Sequence, residues 1–410
     1  MPSPSSNFRP SRAGSEMGQP GQGALPGCGA ASSRETLTRI AAGSAPAPND
    51  RMEPSMQPTI TLPGFSRRSA LGLFAGLLAA GRISPAMAAA VEKSVRLVPP
   101  GGLYEVVVSS TTGLVHVAAA GQRGGGGAAI LGLDPQTLEV KSRIALEDPA
   151  FGLAVNDPTG TLYTTNTRTG SVSAIDLKSG QVTKHFAHGE KAHVRQLVVD
   201  EEANRIYVSV VGVRGAESSV WVIDGAKGEI AQVISAGLGE GMTGLTLDRA
   251  GNRLFATRMQ ANDVIEIDLG SGTVKRSFAS GGETPINAAY DAAGKRLFVT
   301  NQKSNTLTVI DAASGQLVKS IETGEGALGV TLHPTNGTIL VANRRAGTVS
   351  IVDGSKLELQ ASLATGSHPN TIAVDRRTGA AYVTNKARSA GRGQPPIDDP
   401  NGDTVSMIRF

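Results

Sequence analysis

Basic side chains recur along this chain about every 40 to 45 residues, each in a polar segment that follows a short apolar run. They are Arg123, Arg168, Arg214, Arg258, Lys303, Arg344 with Arg345, and Lys386 with Arg388. Acidic residues recur in a second set of segments, at Glu147, Asp148, Glu190, Glu240, Glu283 and Glu325. Guanidinium and ammonium groups bind phosphate well when a fold gathers them on one face. They are ordinary surface charge when acids neutralise them, and the sequence leaves both interpretations open.

Nucleophilic and metal chemistry have less support. There is no Gly-x-Ser-x-Gly segment, and the only cysteine, Cys28, lies far upstream of the recurring segments. His185, His188 and His193 are close together in sequence, but a zinc site needs three or four ligands that converge in space. Ordinary loop histidines are the simpler interpretation. We therefore predict no catalytic residue, no metal site and no cofactor.

The net charge of +4 does not indicate a basic working domain. Residues 1–88 contain eight arginines and four acidic residues, an excess that equals the net charge of the whole chain. Residues 89–410 are therefore neutral overall. General attraction to nucleic acid has no support from composition, and a local patch would have to supply it.

The N-terminal 88 residues differ from the rest of the chain. Residues 1–51 are rich in Ser, Pro, Gly and Ala, which indicates disorder or a start codon placed too far upstream. Residues 52–88 contain the pair Arg67 and Arg68, an apolar run and the segment Pro-Ala-Met-Ala, the pattern of a twin-arginine export signal. The run is too short to span a bilayer, although an uncleaved anchor is the alternative. We expect cleavage after Ala88 and a periplasmic domain over 89–410 without a membrane span.

Residues 89–410 consist of repeats. A short apolar run that ends in Asp recurs at Asp134, Asp176, Asp224, Asp268, Asp311 and Asp353. A second apolar run, rich in β-branched and aromatic residues, precedes it, and segments of Asp, Asn and Gly separate the runs. Four short strands in about 40 to 45 residues are typical of one propeller blade. The predicted fold is therefore all-β, a propeller of seven blades.

The last repeat is one strand short. Its runs lie at 371–374, 380–384 and, after an insertion at 387–402, at 404–410. A matching outer strand is available at 93–98, so we predict that the N-terminal strand of the domain pairs with the C-terminal blade and closes the ring. An open solenoid would need polar capping repeats, and none is visible.

The strand sequence Tyr-Val-Thr-Asn at 382–385, with Phe-Val-Thr-Asn at 298–301, resembles the YVTN family of β-propellers. The segments 132–140, 344–353 and 367–370 are similar to the periplasmic YncE-like group of that family. The resemblance covers about 95–410 and implies the propeller fold. It implies little about activity beyond a suggested binding of DNA. These relatives carry ordinary secretory signals, so the pair Arg67 and Arg68 is a departure.

A propeller places the first strand of each blade along its central channel. We call the face on which these strands begin the top face. Aligned repeats place Tyr104, Phe151, Arg195, Thr243, Ile286, Leu328 and Asn370 at the mouth of the channel, followed by a second column that includes Glu105 and Asn287. The ligand-binding residues that we predict are Tyr104, Phe151, Arg195, Asn287, Arg344, His368 and Asn370.

Two functions of different classes fit this pattern. A non-enzymatic, monomeric binding module would use Arg195 as an anion anchor, Tyr104 and Phe151 as stacking groups, and the amides as hydrogen-bonding groups. Its expected partner is single-stranded DNA or a component of the cell envelope. The alternative is a metal- or cofactor-dependent periplasmic enzyme, lactonase-like or redox, exported in folded form. A protein-interaction platform through the insertion at 387–402 is also open, and the sequence favours the binding module.

Overall fold

The structure is a computed structural model that describes residues 88–99, 101–121, 126–189, 192–212, 215–390, 394 and 397–410. The expected N-terminal extension and export signal lie outside this part of the chain, apart from Ala88. The described residues form 28 strands and no helix; accordingly, none of them belongs to a helix long and apolar enough to cross a membrane. The strands make seven separate four-stranded sheets. This confirms the predicted all-β, seven-bladed propeller.

Each blade is an antiparallel meander, ordered below from the channel outward. Blade one contains β2 (Leu103–Val108), β3 (Val115–Ala119), β4 (Ala129–Leu133) and β5 (Val140–Ala145). Blade two contains β6 (Leu153–Asn156), β7 (Thr161–Asn166), β8 (Ser171–Asp176) and β9 (Gln181–Ala187). Blade three contains β10 (Val194–Asp200), β11 (Arg205–Val210), β12 (Ser219–Asp224) and β13 (Glu229–Ile234).

Blades four to seven repeat this order. Blade four contains β14 (Met242–Asp248), β15 (Arg253–Arg258), β16 (Asp263–Asp268) and β17 (Thr273–Ala279). Blade five contains β18 (Pro285–Asp291), β19 (Arg296–Asn301), β20 (Thr306–Asp311) and β21 (Leu317–Glu322). Blade six contains β22 (Ala327–Leu332), β23 (Ile339–Asn343), β24 (Thr348–Asp353) and β25 (Glu358–Ala364). Blade seven contains β26 (Pro369–Val374), β27 (Ala381–Asn385), β28 (Thr404–Arg409) and, outermost, β1 (Ala90–Arg96).

The pairing of β1 with β28 closes the ring. It is antiparallel and runs from Ala90 opposite Arg409 to Arg96 opposite Thr404. The predicted closure is therefore confirmed, with the strand beginning three residues earlier than the expected segment 93–98. No blade is left as a free end of the ring.

The recurring Asp at or directly after the end of the third strand in blades one to six makes a tight turn. In blade six the Oδ1 atom of Asp353 accepts hydrogen bonds from the backbone amides of Ser355 (2.8 Å) and Lys356 (2.9 Å). These donors, led by the Ser355 hydroxyl, lower the pKa of Asp353 to about 2. The recurring carboxylates thus serve the reversal into the outer strand.

A hydroxyl near the end of the second strand joins neighbouring blades close to the channel mouth. Thr165 Oγ1 donates to the carbonyl of Arg195 at 2.8 Å, and Thr384 Oγ1 donates to that of Tyr104 at 2.6 Å. Equivalent bonds link Ser209 to Thr243 (3.0 Å), Thr257 to Ile286 (2.8 Å) and Thr300 to Leu328 (2.6 Å). The acceptors are the residues predicted at the mouth. The Thr of the Tyr-Val-Thr-Asn sequence therefore fixes the backbone of the next blade.

The Asn of the same sequence holds the second strand to the third. Asn385 Nδ2 donates to the hydroxyls of Thr404 (3.0 Å) and Ser406 (2.9 Å). Gly366 packs against this amide so closely that a Cβ atom there would lie 2.8 Å from Asn385 Cγ. Asn301 and Asn343 repeat the arrangement above Gly282 and Gly324. These asparagines are buried and have a structural role, so other side chains line the channel mouth.

Candidate anion site at the channel mouth

A cavity of about 420 Å³ opens where the first strands of the blades begin. All of the predicted ligand-binding residues except His368 line it: Tyr104, Phe151, Arg195, Asn287, Arg344 and Asn370. Each comes from a different blade. The closed ring is therefore what brings these residues together around one space.

Two cationic side chains line this cavity, and a third lies beside it against Tyr104. Arg195 is half-buried, and its guanidinium has no hydrogen-bond or ion-pair partner among the described residues. Arg344 Nη1 donates to the neutral amide oxygen of Asn370 at 2.5 Å. Lys386 Nζ lies 3.7 Å from the centre of the Tyr104 ring and hydrogen-bonds its hydroxyl. None of the three charges is thus paired directly with a carboxylate in the part of the chain that the structure describes.

Burial is the main influence on both arginines. It lowers the pKa of Arg195, and the nearby charge of Arg344 lowers it further, while Glu105 opposes the change. Burial likewise lowers the pKa of Arg344. A guanidinium stays protonated in proteins, so these shifts mean that both charges are costly to hold in the cavity without an anion.

Of the described residues in the cavity wall, Glu105 is the one that is acidic. Burial raises its pKa to about 7, and a hydrogen bond from Thr371 and the charge of Arg195 only partly offset that effect. Near neutral pH this carboxyl is therefore partly protonated. Three cations and one partly neutralised acid leave the cavity positively charged.

The two aromatic residues form a single apolar wall. The rings of Tyr104 and Phe151 meet edge to face, with centroids 4.6 Å apart and an interplanar angle of 69°. The exposed guanidinium of Arg168 lies 5.9 Å from the Phe151 centroid. A flat or apolar part of a ligand could rest on this wall while its anionic group meets Arg195 and Arg344.

The amides of the site also position its walls. Asn370 Nδ2 and Thr371 Oγ1 donate to the carbonyl of Tyr104 at 3.3 and 3.0 Å. Asn287 Nδ2 donates to the carbonyl of Leu328 at 3.1 Å. Each bond crosses from one blade to the next, so the geometry of the mouth is set by bonds within the protein.

The histidines are dispersed. His368 lies in a separate cleft between blades six and seven, beside Arg345 and Arg388. His185 Nδ1 is 3.1 Å from Ser173 Oγ, and His188 packs edge-on against Trp221. His193 is at the mouth, where burial and the charge of Arg195 lower its pKa. No group of three or more His, Cys, Asp or Glu in the described part of the chain is placed to hold a metal ion.

The recurring basic residues divide into two groups. Away from the axis, Arg258 pairs with Asp263 (2.8 Å), Lys303 with Glu283 (2.5 Å) and Arg388 with Asp399 (3.3 Å). Arg345 donates to the carbonyl of Gln302, and Arg123 and Arg214 lie outside the described residues. Carboxylates thus neutralise these three outer positions, whereas Arg344 and Lys386 face the cavity and the ring of Tyr104.

The sequence interpretation missed part of the cavity wall. Thr167, Met259 and Gln302 line it together with Arg344. Each is the residue that directly follows the second strand of its blade, as is Lys386. The backbone amides of Met259, Gln302, Arg344 and Lys386 donate to the loop before the first strand of their own blade, which holds them at the mouth. These residues could have been recognised in the sequence, because each directly follows the segment that corresponds to Tyr-Val-Thr-Asn.

The fold and the sequence both agree with one known family. The family described as YNCE-like beta-propeller matches residues 89–336. The uncharacterized protein YncE of Escherichia coli K12 is 31% identical over 194 residues, which is 45% of this chain and 54% of that protein. The protein of the same name from Salmonella typhi is 32% identical over 194 residues. The chain spans about half the length of these curated relatives, whose names assign no ligand.

Proposed function

We propose that this chain, which belongs to the YNCE-like β-propeller family, is a non-enzymatic periplasmic module that binds a phosphate-bearing ligand at its channel mouth. Single-stranded DNA is the ligand that we propose. The observation that carries the proposal is the convergence of Arg195 and Arg344 on one cavity, with Lys386 beside it, next to the wall of Tyr104 and Phe151. Cationic groups next to aromatic rings are what single-strand binding requires.

The test is titration of the purified full chain with fluorescent single-stranded and duplex DNA at low and moderate salt. We expect saturable binding of the single strand that weakens as salt rises. Arg195→Ala should reduce the affinity at least tenfold. Lys303→Ala, which removes one charge from the same face at a residue paired with Glu283, is the matched control and should bind as the parent does. Absence of binding at low salt, or equal losses in both variants, would contradict the proposal.

The location is tested separately. Arg67 and Arg68 support export by the twin-arginine route. Replacing both with lysine should keep the protein in the cytoplasm, as measured by cell fractionation. Unchanged delivery to the periplasm would argue for a different export signal.

A further inference from the structure

We infer that the channel mouth captures one terminal phosphate, a phosphomonoester, end-on, and does not bind a strand along the top face. This inference rests on the proposed function and adds the chemical group that the site recognises. It follows from where the positive charge lies, from how much of it there is, and from the shape of the cavity.

The charge is concentrated at the axis. A strand that crosses the top face would need free cations along its path. Among the recurring basic residues that do not line the cavity, Arg258, Lys303 and Arg388 are each paired with a carboxylate, Arg345 donates to the Gln302 carbonyl, and Arg168 lies over the Phe151 ring at the mouth. Arg195 and Arg344 have no carboxylate partner among the described residues, and both line the axial cavity. The site therefore offers its cations to one group on the axis.

The amount of charge fits a dianion. Arg195, Arg344 and Lys386 supply three positive charges at or beside the cavity, and Glu105, which is partly protonated near neutral pH, removes at most one. A phosphomonoester carries about −1.5 to −2 at neutral pH, whereas each internal phosphodiester of a strand carries a single negative charge. The excess is therefore at least two, which the end group of a phosphorylated strand can largely balance and one internal phosphate cannot.

The cavity is small, and apolar side chains line the channel beyond it. Its volume of about 420 Å³ is near the lower limit for ligand pockets. Beyond Glu105 the channel is lined by Val106, Leu153, Leu197 and Ile372. A phosphate that moved past these apolar side chains would lose its hydration without gaining hydrogen-bond partners. An inserted group therefore stops at the level of Arg195.

The test compares one oligonucleotide in three forms: linear with a 5′-phosphate, linear with a 5′-hydroxyl, and closed into a circle. Binding to the full chain is measured by anisotropy and by competition. We expect the 5′-phosphorylated form to bind at least tenfold more tightly than the other two, as charge-assisted hydrogen bonds imply. Its salt dependence should correspond to a log–log slope of about −1, whereas contact with seven phosphates would give about −5.

The variants identify the residues responsible. Arg195→Gln and Arg344→Gln should each abolish the preference for the 5′-phosphate, and Arg344→Lys should retain part of it. Lys303→Gln is the control and should leave the preference intact. Urea unfolding curves establish that the variants are folded, and a loss of preference in a folded variant supports the inference.

The outcomes separate this inference from the proposed function. If the circle binds as tightly as the phosphorylated strand, and Arg195→Gln weakens both, the channel mouth binds DNA but end-on capture is wrong. If no form binds at low salt, both proposals fail. Competition by thymidine monophosphate would indicate a free nucleotide as a source of the phosphomonoester. Failure to compete, with the 5′-phosphate preference intact, would indicate a strand end.

Discussion

The ammonium group of Lys386 lies 3.7 Å from the centre of the Tyr104 ring and also bonds to its hydroxyl. Lys386 follows β27 in the last blade, and Tyr104 belongs to β2 in the first, so this contact spans the seam where the ring closes. The carbonyl of Tyr104 accepts hydrogen bonds from Asn370, Thr371 and Thr384 across the same seam. The contacts that join the first and last blades therefore also assemble the candidate site.

Lys386→Met should weaken binding of a 5′-phosphorylated strand about tenfold, because it removes a charge beside the cavity and keeps the length of the side chain. Stability should change by no more than about 1 kcal/mol, the usual contribution of a cation–π contact. Titration and urea unfolding measure the two effects. Lys319→Met, on the exposed outer strand β21, is the control. Unchanged affinity with a large loss of stability would show that Lys386 serves only closure.

Anion affinity should rise as pH falls from about 8 to 6.5, because Glu105, with a pKa of about 7, becomes protonated. Arg195 and Arg344 stay charged in this range. His193 and His368 have pKa values lowered by burial and by nearby arginines, so they stay largely neutral. Glu105→Gln should bind at pH 8 as tightly as the parent does at low pH. Glu147→Gln, an exposed acid on an inter-blade loop, should keep the pH dependence of the parent.

The contribution of Glu105 to stability should depend on pH in the opposite sense to that of a carboxylate whose pKa is lowered by folding. Its pKa is raised in the folded state, from 4.5 to about 7, so the folded protein binds more protons than the unfolded chain in that window. Stability from this residue therefore falls as pH rises from about 4.5 to 7. Denaturant unfolding across this range should show a smaller decline in Glu105→Gln. An identical decline in both proteins would place the cause elsewhere.

Thr257→Val should destabilise the protein by about 1 to 3 kcal/mol, because it removes a buried hydroxyl that accepts a hydrogen bond from the Gly244 amide and so leaves that amide without this acceptor. Thr257 is fully buried, and its hydroxyl reaches the carbonyl of Ile286 in the next blade at 2.8 Å. Thr273→Val, in the exposed outer strand of the same blade, should cost little. Equal effects of the two substitutions on the free energy of unfolding would refute the role given to the hydroxyl.

Glu266→Gln should cost about 2 to 4 kcal/mol at neutral pH, because it leaves two arginines without their carboxylate. Glu266 is 2% exposed and accepts hydrogen bonds from Arg253 (3.1 Å) and Arg276 (2.6 Å), which also donate to the Ala312 carbonyl of the next blade. Its pKa is lowered in the folded state, so its contribution is present above about pH 4.5 and is lost as pH falls. The difference between parent and variant should shrink in acid.

The matched control is Glu229→Gln, an exposed residue 3.9 Å from Lys227. It should change the free energy of unfolding by less than about 0.5 kcal/mol. If the difference in unfolding free energy between the parent and Glu266→Gln does not change with pH, the substitution acts through packing and not through charge.

The number of blades, their four-stranded form and the closing strand could be predicted from the sequence, because they depend on local chemistry that repeats. Alternating apolar residues specify each strand, and Asp353 and its equivalents specify the turns. The residues at the start of each first strand, such as Tyr104 and Arg195, could be placed at the mouth for the same reason, since every blade repeats one register.

The electrostatics of the site were decided by the tertiary structure. Arg258 and Arg344 occupy adjacent positions in the repeat, yet one is neutralised by Asp263 and the other faces the cavity. The pKa of Glu105 depends on walls contributed by other blades, and the contact of Lys386 with Tyr104 joins the two ends of the domain. His368, predicted as a ligand-binding residue, lies in a cleft separate from the cavity. Charge pairing and burial depend on distances in space between residues far apart in the chain, and a repeat pattern in sequence carries no record of those distances.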